Sequence, residues 1–300
     1  MAQRLIIDTD PGVDDMVAII AALHCDEIEL LALTTVGGNV PLETTTRNAL
    51  RILARVGRLD IPVYAGLSVP YSAPDVHGDD GLAGCPWPDA TTGAQAEPAV
   101  AFLTRQLEEG GVTIACLGPL TNLAAVLRDR PSLASGLERV VVMGGGFGRY
   151  SFRGDKGPVE SHGNMTPEAE FNIYSDVDAA QVVFGSGAPV TVMPLDVSQR
   201  TLVSRERLAK LEPVLAGILD RYTGFSRDKW GHPAGPLHDP NVIARIAEPD
   251  LYSGLRGVVS VGAQGRTELA SGPGPHEVML RVDVEGYLDW VWERLAEAGF

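Results

Sequence analysis

Apolar residues along this chain fall into two alternating kinds of run. Short β-rich runs occur at 5–7, 28–36, 61–65, 112–117, 140–143 and 190–193. Runs of this length, rich in Val, Ile and Leu, read as strands buried on both faces. Between them the spacing changes to a helical period. Val13, Met16, Val17, Ile20 and Leu23 line one face of a helix predicted over 13–24. Further helices are predicted over 42–56, 98–109 and 120–129, and after Asp176-Val-Asp-Ala-Ala180. Such alternation predicts an α/β fold with a mainly parallel central sheet flanked by helices. Past Asp196 the pattern loosens. Helices are expected near 202–227 and 239–247, β-like runs near 257–261 and 278–284, and a last helix over 287–298. No linker, charge block or internal repeat divides the chain, so 1–300 reads as a single domain.

Two stretches lack any period: 66–97, and the segment from Gly144 to about Pro167. Loops this long in a compact protein are usually functional or disordered. The strands also say where a site belongs. Ligands of open α/β sheets bind in the crevice at the carboxyl ends of strands. Asp8 and Asp10, Asn39, Leu117-Gly-Pro and Met143-Gly all fall at such ends.

Charge narrows the ligand. The formal net charge is −15 with no run of Lys or Arg, which disfavours a nucleic acid polymer and suits a cation or an uncharged small substrate. The three cysteines, Cys25, Cys85 and Cys116, are widely spaced and form neither a disulfide framework nor a zinc knuckle. No apolar stretch approaches the ~18 residues of a membrane span. A soluble protein of a reducing compartment, the cytoplasm, is expected, with no membrane partner.

The densest chemical feature is Asp8-Thr-Asp-Pro-Gly-Val-Asp-Asp15. Taken singly, these aspartates read as helix caps and first-turn residues. Taken together, crowded carboxylates repel one another, and a hard cation with oxygen ligands relieves them. An EF-hand loop starting at Asp8 fails, because Val13 and Ile19 stand where it needs Gly and Glu. No Walker phosphate loop is present. A strand followed by Asp-x-Asp also suits haloacid-dehalogenase-like phosphatases, with the first Asp as nucleophile.

The octapeptide resembles the N-terminal signature of the inosine–uridine-preferring nucleoside hydrolase family. So do Thr35-Val-Gly-Gly-Asn39, His77-Gly-Asp-Asp-Gly-Leu82, Gly118-Pro-Leu-Thr-Asn122, Met143-Gly-Gly, Gly163-Asn-Met-Thr-Pro-Glu-Ala-Glu-Phe-Asn172 and Leu237-His-Asp-Pro240, in that family's order. The phosphatase reading accounts for none of the later segments. The resemblance implies a nucleoside hydrolase-like domain with a Rossmann-like core, acting on ribonucleosides with Ca²⁺. By position it implies Asp10, Asp15 and Asp239 as metal ligands, with the backbone carbonyl of Leu117. It implies Asp10 as the base for water. It implies Asp14, Asn39, Asn164, Glu170 and Asn172 around the ribose hydroxyls, and Met143 beneath the sugar. His77 and His238 are implied near the base, with His238 as a catalytic group. Asp8 is left to brace the loop by hydrogen bonds. A homodimer or homotetramer is the assembly implied.

Elementary chemistry agrees with these roles. An oxocarbenium-like sugar is stabilised by nearby carboxylates and amide oxygens. A departing base is a poor anion unless a donor such as His serves it. Phe225 and Trp230 have the spacing of core residues more than of base-stacking ones. The chain departs from the family pattern at 147–162, where an insertion adjoins the ribose segment and bears on which riboside is cleaved. Hydrolysis of another riboside, and non-catalytic nucleoside or ribose binding, are the competing readings.

Overall fold

Nine strands form one sheet in the computed structural model, which describes residues 2–70, 76–148, 151–154, 157–160, 162–230 and 234–300, with backbone only at 151–154, 157–160 and 225–230. The first half of the chain supplies β1 (Gln3–Thr9), α1 (Val13–Leu23), β2 (Ile28–Thr35), α2 (Leu42–Arg55), β3 (Val63–Ala65), α3 (Ala99–Glu109), β4 (Val112–Cys116), α4 (Thr121–Asp129) and β5 (Leu137–Met143). A hairpin, β6 (Ser151–Gly154) and β7 (Gly157–Glu160), precedes α5 (Phe171–Ser175), α6 (Val177–Gly185), β8 (Val190–Met193) and α7 (Leu195–Ser198). The remainder holds β9 (Leu202–Val203), α8 (Arg205–Leu208), α9 (Pro213–Trp230), β10 (Gly235–Pro236) and α10 (Pro240–Ala247). It ends with β11 (Tyr252–Val261), β12 (Thr267–Ser271), β13 (His276–Val282) and α11 (Val284–Glu297).

The sheet order is β12-β11-β13-β8-β5-β4-β1-β2-β3. From β13 to β3 all neighbours are parallel, and β11 runs antiparallel to both β13 and β12. The mainly parallel expectation holds, with an antiparallel edge added. Connections from β1 run outward through β2 to β3, whereas β4, β5 and β8 build the other way. The direction therefore reverses between β1 and β4, the switch point outside whose carboxyl ends open α/β sheets bind their ligands. Register fixes what faces it: Asp8 lies opposite Thr34 of β2 and Cys116 of β4.

Both sheet faces are covered. Leu5 and Ile7 point into one apolar layer with Met16, Ile20, Leu53 and Ile243; Ile6 points into the other with Leu103, Leu123 and Val183. Burying each of these β1 side chains contributes about 2–3 kcal/mol. Helix α1 is buried all round from Val13 to Ala22, so its apolar stripe understated its burial.

Some predicted elements are corrected. The helix expected over 202–227 is β9, α8 and α9 in succession, because Pro213 has no N–H to continue a helix and opens a new one. Val284, predicted at the end of a strand, begins α11, where the Asp283 carboxylate accepts the Gly286 N–H. The run at 257–261 is the second half of a longer strand, and its partner Thr267–Ser271 was not predicted. The insertion contains an antiparallel hairpin. No helix among the described residues is long and apolar enough to cross a membrane.

Candidate active site

Five buried aspartates gather near this switch point: Asp8, Asp10, Asp14, Asp15 and Asp239. Each is held by a different part of the chain. Asp8, at the end of β1, accepts from Thr34 Oγ1 at 2.5 Å and from Asn122 Nδ2 at 2.8 Å, both on Oδ1. Its Oδ2 has no partner among the described residues. Burial raises the Asp8 pKa to about 6 despite these donors. Asp10 Oδ2 accepts the Asn39 N–H at 2.8 Å, and Asn39 Nδ2 bridges the Asp10 carbonyl and Asp15 Oδ2. A side chain at Gly38 or Gly118 would collide with an Asp10 carboxylate oxygen, so two bare backbones clasp that group.

Asp14 and Asp15 stand in the first turn of α1, where free N–H groups favour negative charge. Asp15 accepts from Thr9 Oγ1 at 2.5 Å and from the Gly12 N–H at 2.9 Å. Asp239 arrives from the start of α10. Ligand oxygens of Asp14, Asp15 and Asp239 lie within 4.8 Å of one another, a set able to hold a metal ion. Asp10 is outside that tight group but close enough to act on Asp239 through its charge. Desolvation first, then like charge, pushes the Asp239 carboxyl well above the usual range, with Asp14, Asp15 and Asp10 as the charges. Desolvation, then Asp15, does the same to Asp10. Asp15 is raised by burial and by Asp14. Buried carboxylates raised chiefly by burial and by one another fit a hard divalent cation with oxygen ligands.

The remaining predicted residues are each held by their own hydrogen bonds or packing. Asn172 Nδ2 donates to the carbonyls of Leu117 at 2.6 Å and Met143 at 3.1 Å, so the ends of β4 and β5 are tied by one side chain. Glu170 caps α5, accepting from Asn172 and Ile173 N–H, and also takes the Gly145 N–H. Burial lifts its pKa to about 7, against those three donors. Asn164 Oδ1 accepts the Phe171 N–H at 2.9 Å and so supports the same segment. His77, expected from a polar loop, is buried; its Nδ1 accepts the Val13 N–H at 3.0 Å and its ring stacks on Tyr222. The His238 N–H donates to Asp14 Oδ2 at 3.2 Å. His238 is partly exposed as a residue, yet desolvation of its ring lowers the pKa, partly offset by Asp14. The side chains of Phe225 and Trp230 lie outside the described residues.

Sequence reasoning passed over Thr9, Thr34, Asn122, Ser198 and Tyr222. Asn122 ends the segment Gly118-Pro-Leu-Thr-Asn122, and its hydrogen bonds to Asp8, Thr35 O and Leu67 N join three strand ends. Tyr222 carries no local signal. Burial, then the charges of Asp14 and Asp239 and a hydrogen bond to Asp14, hold its phenol protonated. At the root of the insertion, the Phe147 N–H donates to Asp196 Oδ2 at 2.7 Å, and Gly146 exchanges hydrogen bonds with Thr267 Oγ1.

Comparison with known proteins agrees with this architecture. The family profile of inosine-uridine preferring nucleoside hydrolase matches residues 5–289. The pyrimidine-specific ribonucleoside hydrolase RihA of Photobacterium profundum is 38% identical, over 99% of both chains. Among solved structures, a plant nucleoside hydrolase, the PpNRh1 enzyme, superposes with a TM-score of 0.89 at 31% identity, covering 98% of this chain and 99% of that one. A purine-preferring ribonucleoside hydrolase from Gardnerella vaginalis gives 0.88 at 31%, covering 99% of each. The chain belongs to the inosine-uridine preferring nucleoside hydrolase family, and is an N-glycosyl hydrolase of ribonucleosides.

Proposed function

We propose that this enzyme releases ribose and free base from ribonucleosides with a calcium ion held by Asp10, Asp15, Asp239 and the Leu117 carbonyl. The observation that carries the reading is the group of mutually repelling buried carboxylates at the sheet's switch point. When bound, the ion neutralises those carboxylates and supplies positive charge to the sugar diol and the attacking water. Ca²⁺ tolerates a crowded shell of six to eight oxygens better than octahedral Mg²⁺ does.

Asp10 takes the proton of the attacking water. Burial, then the charge of Asp15, raises its carboxyl in the cation-free chain, and a bound cation would lower it again. The Asn39 N–H and the glycine backbones hold its oxygens in place. Asp14, Asn39, Asn164, Glu170 and Asn172 surround the sugar, with Met143 beneath it. Their oxygens oppose the positive charge that develops on the ring. His238 and His77 serve the departing base as hydrogen-bond donors. Pyrimidine ribonucleosides are the favoured class, on the 38% identity to a pyrimidine-specific ribonucleoside hydrolase over nearly the whole chain.

The test is a panel of uridine, cytidine, inosine and adenosine, assayed for reducing sugar with calcium-loaded and chelated protein. We expect sugar release from the calcium-loaded protein, fastest with the pyrimidines, and its loss on chelation. Release from non-nucleoside ribosides alone would favour the other-riboside reading, in which the 147–162 arm reshapes the base pocket. Binding without release from any riboside would leave a non-catalytic binder and sink the proposal.

A further inference from the structure

Ser198 was not singled out by the sequence, yet it is fully buried and its Oγ lies 2.8 Å from His238 Nδ1. It ends α7, the short helix that follows β8 out of the sheet. Its backbone is already committed: the N–H donates to Pro194 O, and the carbonyl accepts from Thr201. Among the described residues, His238 is the hydroxyl's hydrogen-bond partner. We propose that Ser198 is a positioning residue, which fixes the proton of neutral His238 on Nε2 and so makes that atom a donor to the departing base.

Hydrogen-bond capacity decides the direction. A neutral imidazole has one N–H and one bare nitrogen, and its tautomer is set by the partner of the other nitrogen. If His238 donated from Nδ1, the buried Ser198 proton would be left with no acceptor, at a cost of about 1–3 kcal/mol. If Ser198 donates, both groups are satisfied and the ring proton sits on Nε2.

His77 carries the same device with a donor that admits no choice. Its Nδ1 lies 3.0 Å from the Val13 N–H, and a backbone N–H only donates. His77 is therefore also the Nε2–H tautomer. Both histidines are anchored on the first turn of α1, one through Val13 and the other through Asp14. The backbone beside His238 is independently clamped, since Leu237 O accepts from Thr201, Asn241 and Tyr287. Rotation and tautomer of the His238 ring are what remain for Ser198 to set. No change in the protonation state of either ring is involved.

This inference rests on the reading of His238 as a group serving the leaving base, and the test separates the two. Calcium-loaded wild type, Ser198→Ala and Ser198→Thr would be assayed on uridine and on 4-nitrophenyl β-D-ribofuranoside. Uracil is a poor leaving group that needs a donor; 4-nitrophenolate is a stable anion that does not. We expect Ser198→Ala to lower kcat on uridine about tenfold or more, as when a partner orienting a functional imidazole is lost, with less than about a twofold change on the nitrophenyl riboside. Ser198→Thr should retain uridine turnover. Equal loss on both substrates, or loss on neither, would overturn the role of Ser198. A wild type inactive on both would instead sink the hydrolase reading. Imidazole ¹⁵N correlation spectra give a readout independent of turnover: His238 should show the Nε2–H pattern, and an Nδ1–H pattern would refute the assignment.

Discussion

Replacing Asp239 by Asn should change the sign of its effect on stability according to whether a cation is present. The substitution keeps the shape of the side chain and removes one charge. In the cation-free chain Asp239 shares a buried space with Asp14 and Asp15, their ligand oxygens within 4.8 Å. At that separation and an effective dielectric of about 20, each ionised pair repels by roughly 3 kcal/mol. Proton uptake by the raised carboxyl already relieves part of this, so relief by Asn is at most about 3 kcal/mol. Unfolding entropy for a chain of this length is about 0.6 kcal/mol per degree, so the variant should melt up to ~5 °C above wild type in chelator. If the ion is calcium as proposed, a concentration about a thousand times its Kd would stabilise the native state by ~4 kcal/mol, or roughly 6 °C. The variant, lacking one ligand, should gain little. Thermal unfolding followed by circular dichroism, in EDTA and then in excess Ca²⁺, should show the two curves exchanging order. A variant that melts below wild type in EDTA, or that gains as much from calcium, would show that Asp239 does not repel its neighbours or does not hold the ion.

Asp8 keeps a proton in the native chain up to about pH 6 that the unfolded chain, with a pKa of 3.8, has already released. Stability in chelator therefore falls as pH rises through that window, by roughly 3 kcal/mol from this group. Asp8→Asn should place its amide nitrogen at the unpartnered Oδ2 position, and its Tm advantage over wild type in chelator should widen between about pH 4 and 7; a constant gap contradicts this. Gly118→Ala should fold but displace the Asp10 carboxylate, lowering kcat by about tenfold or more, and wild-type kcat would show that the clasp is dispensable. Asp10→Ala should abolish sugar release while leaving the circular dichroism spectrum unchanged; turnover near the wild-type rate would remove Asp10 as the base.

The parallel half of the fold was legible because its strands are buried on both faces. The run Leu5-Ile-Ile feeds both apolar layers and needs no further signal. The antiparallel edge was less visible. Thr267–Ser271 is an edge strand with Glu268, Ala270 and Ser271 exposed, so no apolar run marks it. At the site, the residues at strand ends were legible, since topology alone brings Asp10, Asn39 and Leu117 to one crevice. Asp15 and Asn172 stand in recognisable motifs, and the structure shows what each bonds: Thr9 and Gly12 for Asp15, and the carbonyls of Leu117 and Met143 for Asn172. Thr34 and Ser198 were not found, because their roles are single hydrogen bonds across the fold, to Asp8 and His238, that no local spacing encodes. Tyr222 was missed for a similar reason: it faces Asp14 from a helix more than 200 positions along the chain.

Hydrolysis of a ribonucleoside's N-glycosidic bond by water at a cation-dependent site can be read from uridine turnover by the calcium-loaded protein in ¹⁸O-labelled water, with the products followed by mass spectrometry. Ribose and uracil should appear in equal amounts, with the label in the ribose, and both products should be lost on chelation. Release of uracil with unlabelled sugar, or turnover undiminished by chelator, would contradict it.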